Sequence, residues 1–171
     1  MSESSDEDPY QKKTMTKGPP EFLVDGMLGS LATKLRILGY DTVYDSFSND
    51  EELLKSAALS GRYLLTSDRE LFLLARRRHV KASLLTKRED LGRFVELFSS
   101  LGISKIVVPE LSRCSACNGT LVESSSKTRF GETKHICRDC GKEYWKGVHW
   151  KKLNAFFNEA NLILRKGEMG N

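Results

Sequence analysis

From Phe22 onward the chain alternates short apolar runs with longer stretches in which apolar residues recur every three or four positions. That rhythm predicts strand and helix units joined by short connections, and hence a mainly parallel sheet. Phe22 to Asp25 reads as the first strand. Leu28, Leu31, Ala32, Leu35 and Leu38 then form one helical stripe, with Gly39 as the left-handed stop. Thr42 to Asp45 reads as the second strand, and Ser48 with Glu51 has the spacing of a capping box opening a helix through Leu53, Leu54, Ala57 and Ala58 to Gly61. Tyr63 to Thr66 is the third strand. Ser67 with Glu70 repeats the box ahead of Leu71, Leu74 and Ala75, and that helix ends on Arg76-Arg77-Arg78, where its dipole favours cations. Val80 to Leu85 is the fourth strand, and Thr86 with Glu89 supplies a third box before the stripe Leu91, Phe94, Val95, Phe98 and Leu101. Ser104 to Val108 is expected as a fifth strand, after which the domain closes at Pro109.

Composition divides the chain further. Residues 1–20, with four acids, three bases and Gly18-Pro19-Pro20, have almost nothing to bury and read as a disordered tail. Residues 21–110 form the α/β domain, with thirteen acids against thirteen bases. Residues 111–171 carry eleven bases against six acids, so the net charge of +4 is concentrated there. A basic C-terminal part suits a polyanion, or else is a solvated face. The longest apolar run, Leu71 to Ala75, is far short of the roughly 18 residues a membrane span needs. With no apolar segment behind the polar N-terminus, the expected location is the cytoplasm.

Cys114-Ser115-Ala116-Cys117 and Cys137-Arg138-Asp139-Cys140 are two C-x₂-C knuckles separated by nineteen residues. That spacing predicts a zinc ribbon over residues 111–153, with Cys114, Cys117, Cys137 and Cys140 closing a structural four-thiolate Zn²⁺ site. Two disulfides are the alternative, and His135 and His149 are substitute ligands that four cysteines make unnecessary. Beyond the second knuckle, Tyr144, Trp145, His149 and Trp150 alternate with Lys142, Lys146, Lys151 and Lys152. Rings interleaved with bases suit unstacked RNA, in which rings meet bases and lysines meet phosphates. Lys146, His149, Trp150, Lys151 and Lys152 are the candidates there, and Arg76 and Arg77 could flank the same path. The competing expectation places both Trp residues in a thin core between ribbon and main domain, most of all Trp145. Residues 154–171 read as a C-terminal helix and tail, with Phe156, Phe157, Ala160, Leu162 and Ile163 packing back on the body or on a partner.

The candidate chemistry lies among the acids. In an open parallel sheet, residues at the carboxyl ends of strands and at the starts of the following helices collect along one edge. Asp25 ends the first strand, Asp68 follows the third, and Asp50 opens the helix between the second and third. Like charges brought together there take up protons or hold a cation, and oxygen ligands point to Mg²⁺ or Mn²⁺ acting on a phosphodiester. Taken singly, Asp50 and Asp68 are also explained as helix-start carboxylates, and Asp45 serves equally well as a loop carboxylate or a ligand.

The segment from Asp50-Glu51-Glu52-Leu53-Leu54 to Leu64-Leu65-Thr66-Ser67-Asp68 is similar to the last acidic part of PIN-domain nucleases. More closely, Phe22-Leu23-Val24-Asp25-Gly26-Met27-Leu28-Gly29 and Leu38-Gly39-Tyr40-Asp41-Thr42, with the four cysteines and Tyr144-Trp145-Lys146-Gly147-Val148-His149-Trp150, resemble the Mut-seven C-terminal RNase family over nearly all of residues 21–153. The resemblance implies a PIN-like domain followed by a zinc ribbon, so the expected fold is a PIN-like three-layer α/β domain with a mainly parallel sheet, then a small zinc ribbon and the C-terminal helix. It also implies metal-dependent cleavage of RNA, with Asp25, Asp50 and Asp68 as catalytic ligands of Mg²⁺ or Mn²⁺. Ordinary PIN domains carry one more acid, for which Asp45 and Glu51 are the available positions. The alternative is a non-catalytic RNA- or ribosome-binding module with a degenerate site; a toxin of a toxin and antitoxin pair fits the PIN likeness but not the ribbon.

Overall fold

The computed structural model describes residues 18–110 and 112–168. Most of the expected tail, and the last three residues, lie outside that range. Four parallel strands, β1 (Phe22–Asp25), β2 (Thr42–Asp45), β3 (Tyr63–Thr66) and β4 (Ala82–Leu84), form a sheet in the order β2-β1-β3-β4. A 3-10 turn at Gly26–Leu28 leads into α1 (Gly29–Ile37), and α2 (Asp50–Ser60), α3 (Arg69–Arg77) and α4 (Asp90–Ser100) follow the later strands. The chain then forms an antiparallel sheet of β5 (Leu121–Lys127), β6 (Thr133–Cys137) and β7 (Glu143–Tyr144), and ends in α5 (Val148–Glu168). No helix among the described residues is long and apolar enough to cross a membrane.

The central strands are apolar on both faces because both faces are covered. Phe22 and Val24 of β1 and Leu65 of β3 point into a core shared with Leu31 and Leu35 of α1, Phe94, Leu97 and Phe98 of α4, and Phe157, Ala160 and Leu164 of α5. Leu23 and Leu64 point the other way, against Leu53, Leu54 and Ala57 of α2 and Leu71 and Ala75 of α3. The result is three layers, as the PIN-like expectation requires, with α5 belonging to the main body. Phe94 packs against Phe98, Phe156 and Phe157 with ring centroids 4.6, 5.2 and 5.6 Å away.

The first three strands and the left-handed glycines, Gly39 at φ 86° and Gly61 at φ 69°, lie where the pattern predicts them. Helix starts differ in detail. Asn49, not Ser48, caps α2 and completes the reciprocal box with Glu52. Asp68, not Ser67, caps α3, its Oδ1 accepting from the amides of Glu70 (2.7 Å) and Leu71 (3.2 Å). The box expected of Thr86 and Glu89 does not form; the Thr86 hydroxyl and amide instead donate to Glu96 (2.7 and 2.9 Å). Ser104 to Val108 forms no strand and joins no sheet. The Asn161 side chain accepts from the Ile106 amide (2.7 Å) and donates to the Ile106 carbonyl (3.0 Å), doing from α5 what a neighbouring strand would do.

Polar groups fill the seam between the ribbon and the α/β domain. Arg36, only 7% exposed, donates Nε to the Thr42 carbonyl (2.9 Å) and Nη1 to the Ser115 and Ala116 carbonyls (3.0 and 3.1 Å). Asn118 accepts from the Thr42 amide (2.9 Å) and donates to Asp41 (3.0 Å), which also pairs with Arg62 (2.6 Å) and Arg113 (3.0 Å). Hydrogen bonds and ion pairs line this seam, and Trp145, expected in a thin core there, is instead 51% exposed.

Candidate active site and metal centre

The carboxyl ends of β1, β2 and β3 carry the acids. Asp25 and Asp45 are register partners on neighbouring strands, and Asp68 lies two residues beyond β3. Thr66, fully buried at the end of β3, links two of them: its hydroxyl donates to Asp25 Oδ2 (2.8 Å) and accepts from the Asp68 amide (2.9 Å). Asp25 Oδ1 and Asp68 Oδ2 have no protein partner among the described residues. Asp50 occupies the first position of α2, at the same edge. Asp25, Asp50 and Asp68 are not drawn into a group of three with oxygens close enough to share one ion directly; among the described residues only the four cysteines form such a group.

Asp45 is occupied by its own loop. Its Oδ1 accepts from the Phe47 and Ser48 amides (both 3.0 Å) and its Oδ2 from the Ser48 hydroxyl (2.8 Å), and the Ser48 amide above all holds its carboxyl below the usual range. Glu51 pairs with Arg78 at the exposed surface. The sequence did not single out Asp90, in the first turn of α4, which accepts from the Ser30 hydroxyl and from Lys34 Nζ (2.8 Å). Burial pushes its carboxyl up, but the Lys34 and Ser30 bonds outweigh this and bring it below the ordinary range. An acid at a helix start after the fourth strand was its signal, and the Thr86 to Glu89 spacing concealed it. Thr66 was likewise legible only as the last residue of its strand.

The other centre is the cysteine cluster. All four sulfurs lie within 4.8 Å of one another, with Cys114 to Cys140 at 3.6 Å and Cys117 to Cys137 at 3.5 Å. A tetrahedral Zn²⁺ with bonds of about 2.3 Å sets edges of about 3.8 Å, so the cluster fits such an ion, and neither His135 nor His149 belongs to it. Burial pushes the Cys114 thiol up, but the Tyr144 hydroxyl and the Cys117 and Ala116 amides outweigh it and bring the thiol down to about 6, favouring the thiolate that metals need. Gly119 permits the approach of the two knuckles, since a Cβ there would stand 2.3 Å from Asp139 Oδ2 and 2.8 Å from Cys137 Sγ.

The candidate RNA contacts fall in two places. Lys146, His149, Trp150, Lys151 and Lys152 occupy the turn before α5 and its first turn, ahead of Leu153, where packing on the main core begins. Lys146 Nζ stands 5.5 Å from the Trp150 ring centroid, and His149, Lys151 and Lys152 are exposed. Arg76 and Arg77 sit in the last turn of α3, which at 1.5 Å per residue carries them about 12 Å along its axis from Asp68. The ribbon seam meets β2 at Thr42, three residues or about 10 Å from Asp45, so it lies at the end of the strands away from the acids.

No curated protein and no solved structure matches the chain. A family model described as the Mut7-C RNAse domain matches residues 20–157, a span that takes in the acidic edge, the cysteine cluster and the start of α5. The chain therefore belongs to the Mut7-C RNAse domain family.

Proposed function

We propose that the protein is a ribonuclease that hydrolyses RNA phosphodiester bonds at the acidic edge, with Asp25, Asp50 and Asp68 as catalytic carboxylates and ligands of Mg²⁺ or Mn²⁺. The observation that carries this reading is the Thr66 hydroxyl, which ties Asp25 to the backbone of Asp68, with one oxygen of each carboxylate lacking a partner among the described residues. Hard divalent ions suit such oxygens and keep several waters, so one or two direct carboxylates with a third acting through water make a sufficient site. When bound, such an ion makes water more acidic and offsets charge on the phosphodiester. Asp25 and Asp68 would hold the ion directly, so that it sits between the carboxylates and the scissile phosphate, and Asp50 would reach it through water from its helix start. We assign RNA binding to Lys146, His149, Trp150, Lys151 and Lys152, with Arg76 and Arg77 on a more distant flank, and a structural Zn²⁺ to the ribbon. The cysteines, all unpaired, suit the reducing cytoplasm.

A second reading, an RNA- or ribosome-binding module without cleavage, is favoured by the pairing of Asp90 with Lys34, which neutralises a further acid. Incubating the zinc-loaded chain with single-stranded and structured RNA separates the two, comparing added Mg²⁺ or Mn²⁺ with no divalent addition, since a chelator would strip the ribbon. Cleavage only with Mg²⁺ or Mn²⁺ supports the nuclease. Binding without cleavage under every condition supports the module.

A further inference from the structure

Two large apolar side chains stand exposed on the loops that carry the acids. Phe47, in the loop after β2, is 98% exposed, and Met27, in the 3-10 turn after β1, is 70% exposed. Neither loop is loose. Asp45 Oδ1 accepts from the amides of Phe47 and Ser48, and the Ser48 hydroxyl closes on Asp45 Oδ2, so three hydrogen bonds fix the backbone that presents the ring. The two loops also touch: a Cβ on Gly26 would stand 3.0 Å from Ser46 Cα. On its other side Met27 meets the β3 loop, with the Ser67 hydroxyl 3.9 Å from its sulfur, one residue before Asp68. Met27 therefore follows Asp25 by two residues, Phe47 follows Asp45 by two, and both project from the edge where the acids are collected.

We infer that Phe47 and Met27 form a stacking platform for one unpaired RNA base beside the scissile phosphate. The inference rests on the ribonuclease reading of the same edge and adds the form of its substrate, a single-stranded segment. An exposed ring carried on a fixed backbone next to carboxylates is poorly suited to a phosphate, which they repel, but well suited to the face of a base. Every base has such a face, so the contact tolerates any sequence, and a polarizable thioether beside the ring extends the apolar surface. The contact does not change between ground and transition states, so it lowers KM and leaves kcat alone. The ribbon side chains would hold the backbone elsewhere along the strand.

The test measures binding in the zinc-loaded, full-length chain carrying Asp25→Asn, so that cleavage does not intervene. Short labelled oligoribonucleotides, each with a single abasic residue at a different position, locate the stacked base. One abasic position should weaken binding about tenfold, and Phe47→Ala with Met27→Ala should weaken binding of intact RNA by the same factor and erase that position from the profile. Phe47→Trp should restore it. Affinity and abasic profile unchanged in the double variant would overturn the platform, including the case in which these side chains serve a protein partner. In the chain with Asp25 intact, the double variant should raise KM about tenfold at constant kcat. Failure of the unsubstituted chain to cut any RNA would count against the ribonuclease reading, while the binding profile still decides the platform.

Discussion

Arg36 of α1 and Ala116 of the first cysteine knuckle are joined by a guanidinium-to-carbonyl hydrogen bond of 3.1 Å across eighty residues of chain. The bond sits in the seam beside Ser115, Asn118 and Thr42, and Arg36 is nearly buried there. Unfolding the knuckle would leave a guanidinium of the main body without acceptors for Nη1. A buried polar group deprived of its partners costs about 1–3 kcal/mol, more when charged. Zinc removal, or Cys137→Ser, is therefore expected to lower the unfolding midpoint of the α/β domain as well, by roughly 5 °C for a chain of this size. Calorimetry of zinc-loaded and zinc-stripped protein checks this; an unchanged domain transition would show that the ribbon folds independently.

The same seam should weaken in acid. Burial pushes the Asp41 carboxyl up, but bonds from Arg62 and Asn118, with the charges of Arg62 and Arg113, outweigh it and hold the carboxyl below its ordinary value. A carboxyl whose folded pKa lies below its unfolded value of about 3.9 stabilises the fold above that pH, and this is lost as pH falls through the folded pKa. Wild type should exceed Asp41→Asn in unfolding midpoint near neutrality, with the difference shrinking as pH drops below about 4. A pH-independent difference would locate the role of Asp41 outside its charge.

Asn161 gives a prediction about α5. Its amide satisfies both backbone groups of Ile106, at 2.7 and 3.0 Å. Asn161→Ala leaves a donor and an acceptor unpaired and should cost about 1–3 kcal/mol. Hydrogen exchange at the Ile106 amide should accelerate by more than at the β1 amides; equal protection would mean water replaces the side chain at no cost.

Gly119→Ala should loosen the metal centre, because its Cβ would collide with Asp139 and Cys137. Competition with a chromophoric chelator should show zinc affinity falling on the order of tenfold or more, as for changes to groups that support ligands.

How much of this was legible in the chain depended on how local each contact is. Phe22–Asp25, Thr42–Asp45 and Tyr63–Thr66 are strands at the predicted bounds; in the first and third, short apolar runs bury alternate residues in two cores, while the second pairs with β1 and leaves Val43 and Tyr44 exposed. Caps slipped by one residue where capping side chains are adjacent: Ser48, Asn49 and Asp50 can each close a helix start, and the path of the loop selects Asn49. The fifth strand failed for a nonlocal reason, because its partner is a side chain fifty-five residues away. At the acidic edge the expected positions of Asp25 and Asp68 came from strand ends and that of Asp50 from a helix start, but the Thr66 bridge and the Lys34 to Asp90 pair required three dimensions. Trp145 is exposed because the seam it was expected to fill is made of hydrogen bonds.

The most direct measurement is Mn²⁺-dependent RNA hydrolysis by Asp68→Asn beside wild type. Asp68 caps α3, and Asn caps a helix as well as Asp does, so this change removes a charge and keeps the fold. Metal catalysis contributes several kcal/mol, so cleavage should fall by on the order of a hundredfold or more while RNA binding and the unfolding midpoint stay with wild type. Undiminished cleavage by Asp68→Asn would contradict the assignment of the acidic edge as the site of the chemistry.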